Sequence, residues 1–398
     1  MRGERYRRIL AIRDARQPMI GTAIDRIPIA GISLAIILLV RGETGSFAIA
    51  GVVEAAFAIA TAISLPVQGR LIDRLGQTRI LGAVVVLNPL ALIGLILAAR
   101  SGAGIAPLAV LGAACGASQA ATGSAMRALW SSLIPDQSLR QSAYALDAVS
   151  LEVAFIAGPL VTAALIAAGS PTLAVLANAG FAAIGTVTFL LSHASRSWRG
   201  GATAENWAGP LRSRGILALL AIEVSFGVSL GAMEISITAF ATHEGSSSMA
   251  GVLIAFQAAA SLVAGLWYGS RHHEAPPGER YPRICLLLAV GLAPLLLTTS
   301  IAEAIPLMIV SGFALAPAGT VLYGLVDELA PEGTATEAFT WMVTAISGGV
   351  AAGSAVGGAL VTGGHPHRGL VACVAAAGVA AGIAYLARPV FRATPSTA

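Results

Sequence analysis

The sequence predicts an all-α polytopic membrane protein, with twelve transmembrane helices arranged as two pseudo-symmetric six-helix bundles. Three observations carry that reading. The chain is 56% hydrophobic and 11% charged, with a mean hydropathy of +0.80, where soluble domains carry about 25% charged residues. Its apolar residues gather into stretches close to the roughly 20 residues a helix needs to cross a bilayer. The second half also repeats the first at a nearly constant offset. Ala50-Gly51-Val52 recurs as Ala250-Gly251-Val252 and Gly69 as Gly269, while Ala143-Tyr144 recurs as Ala338-Phe339 and Gly158 as Gly353. Weak parallel repeats of this kind are expected when two bundles face each other across a cavity.

In chain order, six arginines in the first 17 residues run straight into a span over 18–40. That stretch is too long for the apolar core of a signal peptide and reads as a retained first helix. Further spans follow over 46–68, 80–99, 104–126, 143–166 and 171–192. After the longest polar segment, 193–214, come 215–241, 249–269, 284–302, 305–326, 338–362 and 369–387. The chain thus divides into a first bundle (1–192), a linker (193–214) and a second bundle (215–398). It contains no lysine, and twenty of its 24 basic residues fall at the two termini or in alternate loops. Arginine-rich short loops stay inside, so both termini are expected in the cytoplasm of a cell (inner) membrane. Trp130, Tyr144, Trp267, Tyr268, Tyr323 and Trp341 fall at the same ends of their spans, as interfacial aromatics do.

Small residues mark packing faces. Gly112 and Gly116, Gly227 and Gly231, Gly265 and Gly269, and Gly353 and Gly357 each stand four apart, so each pair lies on one helix face where backbones can approach closely. On the fifth span, Gly158-Pro159 predicts a bend, because proline leaves a carbonyl without its amide partner.

A charge at the bilayer centre costs at least ~2.5 to 3.5 kcal/mol on the insertion scale, so ionisable residues inside spans should face a cavity or a partner. The candidates are Asp25 and Arg26, Glu54, Asp147 and Glu152, and Glu223 and Glu234. Asp25 and Arg26 are adjacent, so they point about 100° apart on a helix and cannot neutralise each other on one face. Glu152 lies near the midplane. Glu223 and Glu234 are about three turns apart and share a helical face.

Other chemistries lack their residues. There is no phosphate-binding glycine loop with a lysine, no C-x-x-C and no H-E-x-x-H, and Cys115, Cys285 and Cys373 are scattered through apolar runs. No cofactor, metal or enzymatic activity is expected. The net charge of +4 reflects topology and gives no support to nucleic-acid binding. The expected partner is the bilayer, and the expected state is a monomer.

Between the second and third spans stands Gly69-Arg70-Leu71-Ile72-Asp73-Arg74-Leu75-Gly76-Gln77-Thr78-Arg79. It resembles the G-x-L-x-D-R-x-G-R-[RK] loop of the major facilitator superfamily. Gly69, Leu71, Asp73, Arg74 and Gly76 match, Gln77 and Thr78 replace basic residues, and Arg79 restores a charge. The Gly158-Pro159 element is similar to one on the fifth helix of the proton-coupled exporters of that superfamily. The resemblance implies a secondary transporter working by alternating access, with spans 1, 4, 7 and 10 lining the cavity. It implies proton-driven efflux, with a proton-linked importer of a small metabolite as the alternative on the same fold. A membrane enzyme or assembly factor is the more distant alternative.

Because the family fold sets the first span beside the fifth, Arg26 is expected to pair with Glu152 or Asp147. Glu152 is expected to carry the coupled proton, with Asp25 or Glu234 next. Asp73 is expected to accept from the free amides that begin the eleventh span, while Arg70, Arg74 or Arg79 meets the acidic stretch Asp327, Glu328, Glu332 and Glu337. Few charges and many Ala, Gly and Leu positions favour a lipophilic or amphiphilic solute over a sugar.

Overall fold

The computed structural model describes residues 4–29, 31–199, 209–244, 249–361 and 366–392, and among them the secondary structure is helical. A short helix, α1 (Glu4–Ala11), precedes a first span made of two pieces, α2 (Arg13–Arg26) and α3 (Ile32–Thr44). The second and third spans, α4 (Phe47–Leu75) and α5 (Gln77–Arg100), are joined by Gly76 alone, whose φ of 90° suits a residue without a side chain. The fourth span is split into α6 (Ile105–Ala117) and α7 (Thr122–Leu133), and α8 (Gln137–Ala168), α9 (Pro171–Leu190) and the short α10 (His193–Ser197) complete the first half. A 3-10 turn over Gly209–Arg212 leads into α11 (Arg214–His243), α12 (Met249–Gly269) and α13 (Pro277–Leu292). The tenth span is again divided, into α14 (Ile301–Gly312) and α15 (Leu315–Leu329), before α16 (Ala335–Val361), α17 (Pro366–Leu386) and α18 (Arg388–Arg392). Of the linker, residues 200–208 lie outside the described residues, as do residues 246–248 and His365.

Among the described residues, eleven helical runs are long and apolar enough to cross a membrane. The twelfth, the first span, falls short because its helix stops at Arg26, which corrects the continuous helix expected over 18–40. Pro28 has no amide to continue the ladder. The chain instead makes tight turns, Ile29 N donating to Arg26 O at 3.0 Å and Gly31 N to Pro28 O at 2.9 Å. Gly31 is pressed onto the fifth span, where a Cβ would stand 2.9 Å from Gly158 O.

The break in the tenth span, at Phe313 and Ala314, precedes Pro317, which has no amide to donate to Phe313 O, while the break in the fourth span contains no proline. Side chains from neighbouring helices satisfy the freed backbone groups, as a buried break requires. Gln68 on α4 donates to Ala117 O at 3.1 Å and Gln119 O at 2.7 Å. Ser261 on α12 accepts from Ala316 N, in the first turn of α15, at 3.1 Å. The ninth span, expected over 284–302, begins earlier at Pro277 and ends in a 3-10 stretch, Ala293–Leu297, containing Pro294.

The glycine pairs sit where helices touch. A Cβ at Gly112 would lie 2.7 Å from Val53 O, and Gly116 abuts Phe57 O, so α6 lies directly on α4. Gly227 and Gly231 of α11 abut Ile346 O and Val350 O of α16 in the same way. Gly265 and Gly269 instead face the other half, a Cβ at Gly265 standing 2.9 Å from Val149 Cγ2 while Gly269 meets Ala145. The halves therefore meet along two seams, span 2 on span 11 and span 5 on span 8. At the arginine-rich end the buried core is continuous across both halves, taking in Trp130, Tyr144, Tyr323 and Phe339. At the opposite end the first half keeps a separate core around Ile36, Val53, Leu95 and Ala174.

Candidate functional site

Polar and charged groups between the halves form layers running inward from the arginine-rich face. In the outermost layer the two carboxylate oxygens of Asp73 accept from Thr336 N at 3.1 Å and Glu337 N at 2.8 Å. These are amides of the first turn of α16, which have no partner within their own helix, and a carboxylate is favoured there by the helix dipole. Arg70 closes on Glu337 with two parallel bonds, Nε to Oε2 at 3.0 Å and Nη2 to Oε1 at 2.7 Å, a geometry that fixes both side chains. Such approach requires Gly69, since a Cβ there would stand 2.7 Å from Glu337 Cα. Arg74 and Arg79 are exposed, and Gly76 serves as the hinge residue between α4 and α5. On the same face Arg140 Nε meets Asp327 Oδ2 at 2.9 Å, and Gln137 donates to Glu328.

Beneath lies an aromatic layer. Tyr144 of the first half packs against Tyr323 and Phe339 of the second, with ring centroids 6.2 and 6.3 Å away and edge or tilted geometry. The Arg127 guanidinium sits 4.0 Å above the Tyr323 ring centroid, a cation–π contact strengthened by its exclusion from water.

The third layer is a buried charge cluster. Asp147 on α8 holds Arg26 Nη2 on Oδ1 at 2.8 Å and Arg127 Nε on Oδ2 at 2.8 Å, and its backbone carbonyl accepts from Arg26 Nη1 at 2.9 Å. Asp25 points the other way, as its position beside Arg26 demands. Its carboxylate accepts from Thr122 on the fourth span and from Thr186 Oγ1 on the sixth at 3.1 Å. On the second half's side, buried Glu223 accepts from Tyr281 OH at 3.3 Å.

Five residues further along the fifth span than Asp147, Glu152 Oε1 accepts from Ser261 Oγ on the eighth at 2.8 Å. Ser261 accepts in turn from Ala316 N at the start of α15 at 3.1 Å. A carboxylate of one half is thus linked through one hydroxyl to a helix N-terminus of the other.

The structure brings most of the sequence-predicted residues into these layers and separates others. Arg26 takes Asp147, so Glu152 is free to contact the second half. Gly158 lies against Gly31 at the break in the first span, with Pro159 beside it. Glu54 is half-buried on α4. Glu223 is buried while Glu234 is exposed, so the two acids of the seventh span, placed on one face by spacing, occupy different environments. Three residues escaped the sequence reading. Arg127 counts there as a loop arginine, yet it is 3% exposed and pairs with Asp147. Ser261 and Thr122 carried no signal, since serine and threonine are common in membrane helices. The one legible hint for Arg127 was the charge balance, because Asp147 with Arg26 alone would leave Arg127 without an acid at that depth.

The family model for the Major Facilitator Superfamily matches residues 19–354. No curated protein sequence gives a significant match. Among solved structures, the chain is similar to a bacterial homologue of the iron transporter ferroportin in an outward-facing state. The TM-score is 0.76 at 15% identity, over 94% of this chain and 99% of that one. The same homologue with soaked iron gives 0.75 at 14% identity, over 94% and 98%. The human organic anion transporter MFSD10 (TETRAN) gives 0.70 at 15% identity, over 96% of this chain and 100% of that one. At such identities the likeness to these structures is one of fold.

Proposed function

Because the chain belongs to the Major Facilitator Superfamily and is a multi-pass membrane transporter, we propose that it exports a small lipophilic or amphiphilic molecule by proton antiport. The halves 1–192 and 215–398, joined by the linker 193–214, rock about a central cavity. The arginine-rich face is the cytoplasmic one, both termini lie in the cytoplasm of a cell-membrane protein, and the layered contacts correspond to a state closed to the cytoplasm. The protein acts as a monomer, and its acids at Asp25, Glu152 and Glu223 are the groups that can exchange protons.

The observation that supports this reading best is the link from Glu152 through Ser261 to Ala316 N. With its oxygen held by the Ala316 amide, the Ser261 hydroxyl directs its proton at Glu152, and the N-terminus of α15 adds positive potential behind it. Bonds to an ionised acceptor are worth about twice those to a neutral one. Protonation of Glu152 from outside therefore weakens the contact between spans 5 and 8 and favours opening toward the cytoplasm. Loss of the proton inside restores it. A solute that binds the opened state and leaves from the other is carried outward as the proton moves in.

The test is transport in everted membrane vesicles across a panel of structurally varied amphiphiles. An imposed pH gradient, acid inside, should drive accumulation of at least one compound. Loss of preloaded compound under the same gradient would reverse the direction and point to a proton-linked importer.

A further inference from the structure

The two seams are related by the internal repeat, yet they are not latched alike. Gly269 repeats Gly69, and it meets Ala145 where Gly69 meets Thr340. The position equivalent to Asp73 is His273, which stacks on Tyr268 at 4.1 Å instead of capping the opposing helix. The N-terminus of α8 is capped by its own Asp136, which accepts from Ser138 N at 2.9 Å. The second seam thus lacks an acid at the position of Asp73.

Helix α1 stands in that place. Arg5 Nε donates to Ser142 Oγ at 2.9 Å and Nη2 to Ser138 Oγ at 2.6 Å, both on the fifth span. Tyr6 OH donates to Leu266 O of the eighth span at 2.8 Å, and its oxygen occupies the notch where a Cβ on Gly269 would be 2.5 Å away. Ile9 is fully buried on the same face. One short helix is therefore bonded to both halves. His272 and Arg280 add contacts to Ser138 and Gln141 beside it.

The outer face of α1 carries Arg7 and Arg8, both exposed, and Leu10 at 47% exposure. Its depth is marked by Trp267, next to the residue that holds Tyr6. Trp267 is half-exposed, with the Arg271 guanidinium 4.1 Å from its ring centroid. Tryptophan with arginine at a span end is the signature of the headgroup level. A short helix with arginines and a leucine turned outward at that depth fits an anionic membrane surface.

We propose that α1 is a strap across the seam of spans 5 and 8, and that Arg7 and Arg8 are its docking surface for anionic phospholipid headgroups. Bound lipid holds the strap down and keeps the arginine-rich face closed. Lipid charge then sets the resting balance between conformations without touching the transport cavity.

The test uses the full-length protein with its three cysteines replaced by serine and spin labels on Ser132→Cys and Glu274→Cys, one in each half. Distances are measured without substrate or gradient, so the result is independent of proton coupling. Nanodiscs of phosphatidylcholine are compared with nanodiscs that also contain phosphatidylglycerol. Phosphatidylglycerol should raise the ratio of short to long distances by roughly five-fold or more, the effect of about one surface arginine. The rise should vanish in the Arg7→Gln, Arg8→Gln double variant, whose altered residues bond to neither half, and in Tyr6→Phe. Inorganic phosphate added to phosphatidylcholine discs should leave the distances unchanged. An equal rise in the double variant would place the lipid effect elsewhere, and a full rise in Tyr6→Phe would show that α1 is no strap. An unresponsive parent protein, or a response to free phosphate, would overturn the proposal as well.

Discussion

The guanidinium of Arg26 is bonded to the carboxylate of Asp147 at 2.8 Å, with neither side chain more than 3% exposed. Asp147 also holds Arg127, so one acid bonds two arginines from two other spans. Breaking a buried pair costs ~3 to 5 kcal/mol because the remaining charge has no partner. Asp147→Ala should therefore lower the yield of folded protein more than Arg26→Ala, which leaves Asp147 with Arg127. Adding Glu152→Gln to Arg26→Ala should restore nothing. Thermal stability of detergent-purified variants, followed by size-exclusion profiles, checks the order.

The outer latch, Asp73 on the start of α16 and Arg70 on Glu337, is the contact that the proposed cycle breaks. Removing an N-cap costs about 0.5 to 2 kcal/mol, so Asp73→Ala should shift the population several-fold toward states open at the arginine-rich face. Arg70→Ala should shift it in the same direction, since it strips both parallel bonds from Glu337, whose side chain is only 4% exposed. Labelling rates of single cysteines at the mouth on that face measure both. Unchanged labelling in well-inserted Asp73→Ala would leave the loop as a topological signal only.

Space at the seams is as demanding as charge. Gly265→Leu places a branched side chain where a Cβ alone would be 2.9 Å from Val149 Cγ2 and 2.8 Å from the Ala316 Cβ. Overpacking of this kind costs typically ~1 to 3 kcal/mol, and here the part of it against Val149 acts on the closed state alone. The variant should show high labelling at the arginine-rich mouth and slow transport, while Gly251→Leu, in open space, should show neither.

The outer latch was legible in the sequence because it rests on a local motif. Gly69, Asp73 and Gly76 stand at fixed spacing, and the acidic stretch from Asp327 to Glu337 broke the arginine pattern. The charge cluster was half legible. Asp25, Arg26 and Asp147 were visible as charges inside apolar runs, whereas Arg127 falls at the edge of a hydropathy window and its burial comes from a partner on another helix. The break in the fourth span was invisible, since Gln68 stabilises it from a neighbouring helix and it contains no proline, while the break in the tenth could have been read from Pro317. The break in the first span could have been read from Pro28 and Gly31, and the length of the apolar run concealed it.

Ser261 joins Glu152 to the start of α15, so its hydroxyl serves two bonds at once. Ser261→Ala leaves both the Ala316 amide and the carboxylate without a partner, a loss of about 1 to 3 kcal/mol for a buried group. The variant should open more readily on the arginine-rich side. It should also lose the pH dependence of that opening, because the acid no longer has a contact to strengthen or weaken. Ser261→Thr, which keeps a hydroxyl, should retain it. Spin-label distances across the seam at several pH values decide between these outcomes.

Proton coupling rests on Glu152, the acid that faces the second half, and two kinds of flux measured side by side on Glu152→Gln test it directly. In reconstituted vesicles, the variant should still exchange labelled substrate for unlabelled substrate at equilibrium, while failing to concentrate it when a pH gradient is imposed. If Glu152→Gln concentrates substrate as the parent protein does, the proton is carried elsewhere and the coupling link through Ser261 is wrong.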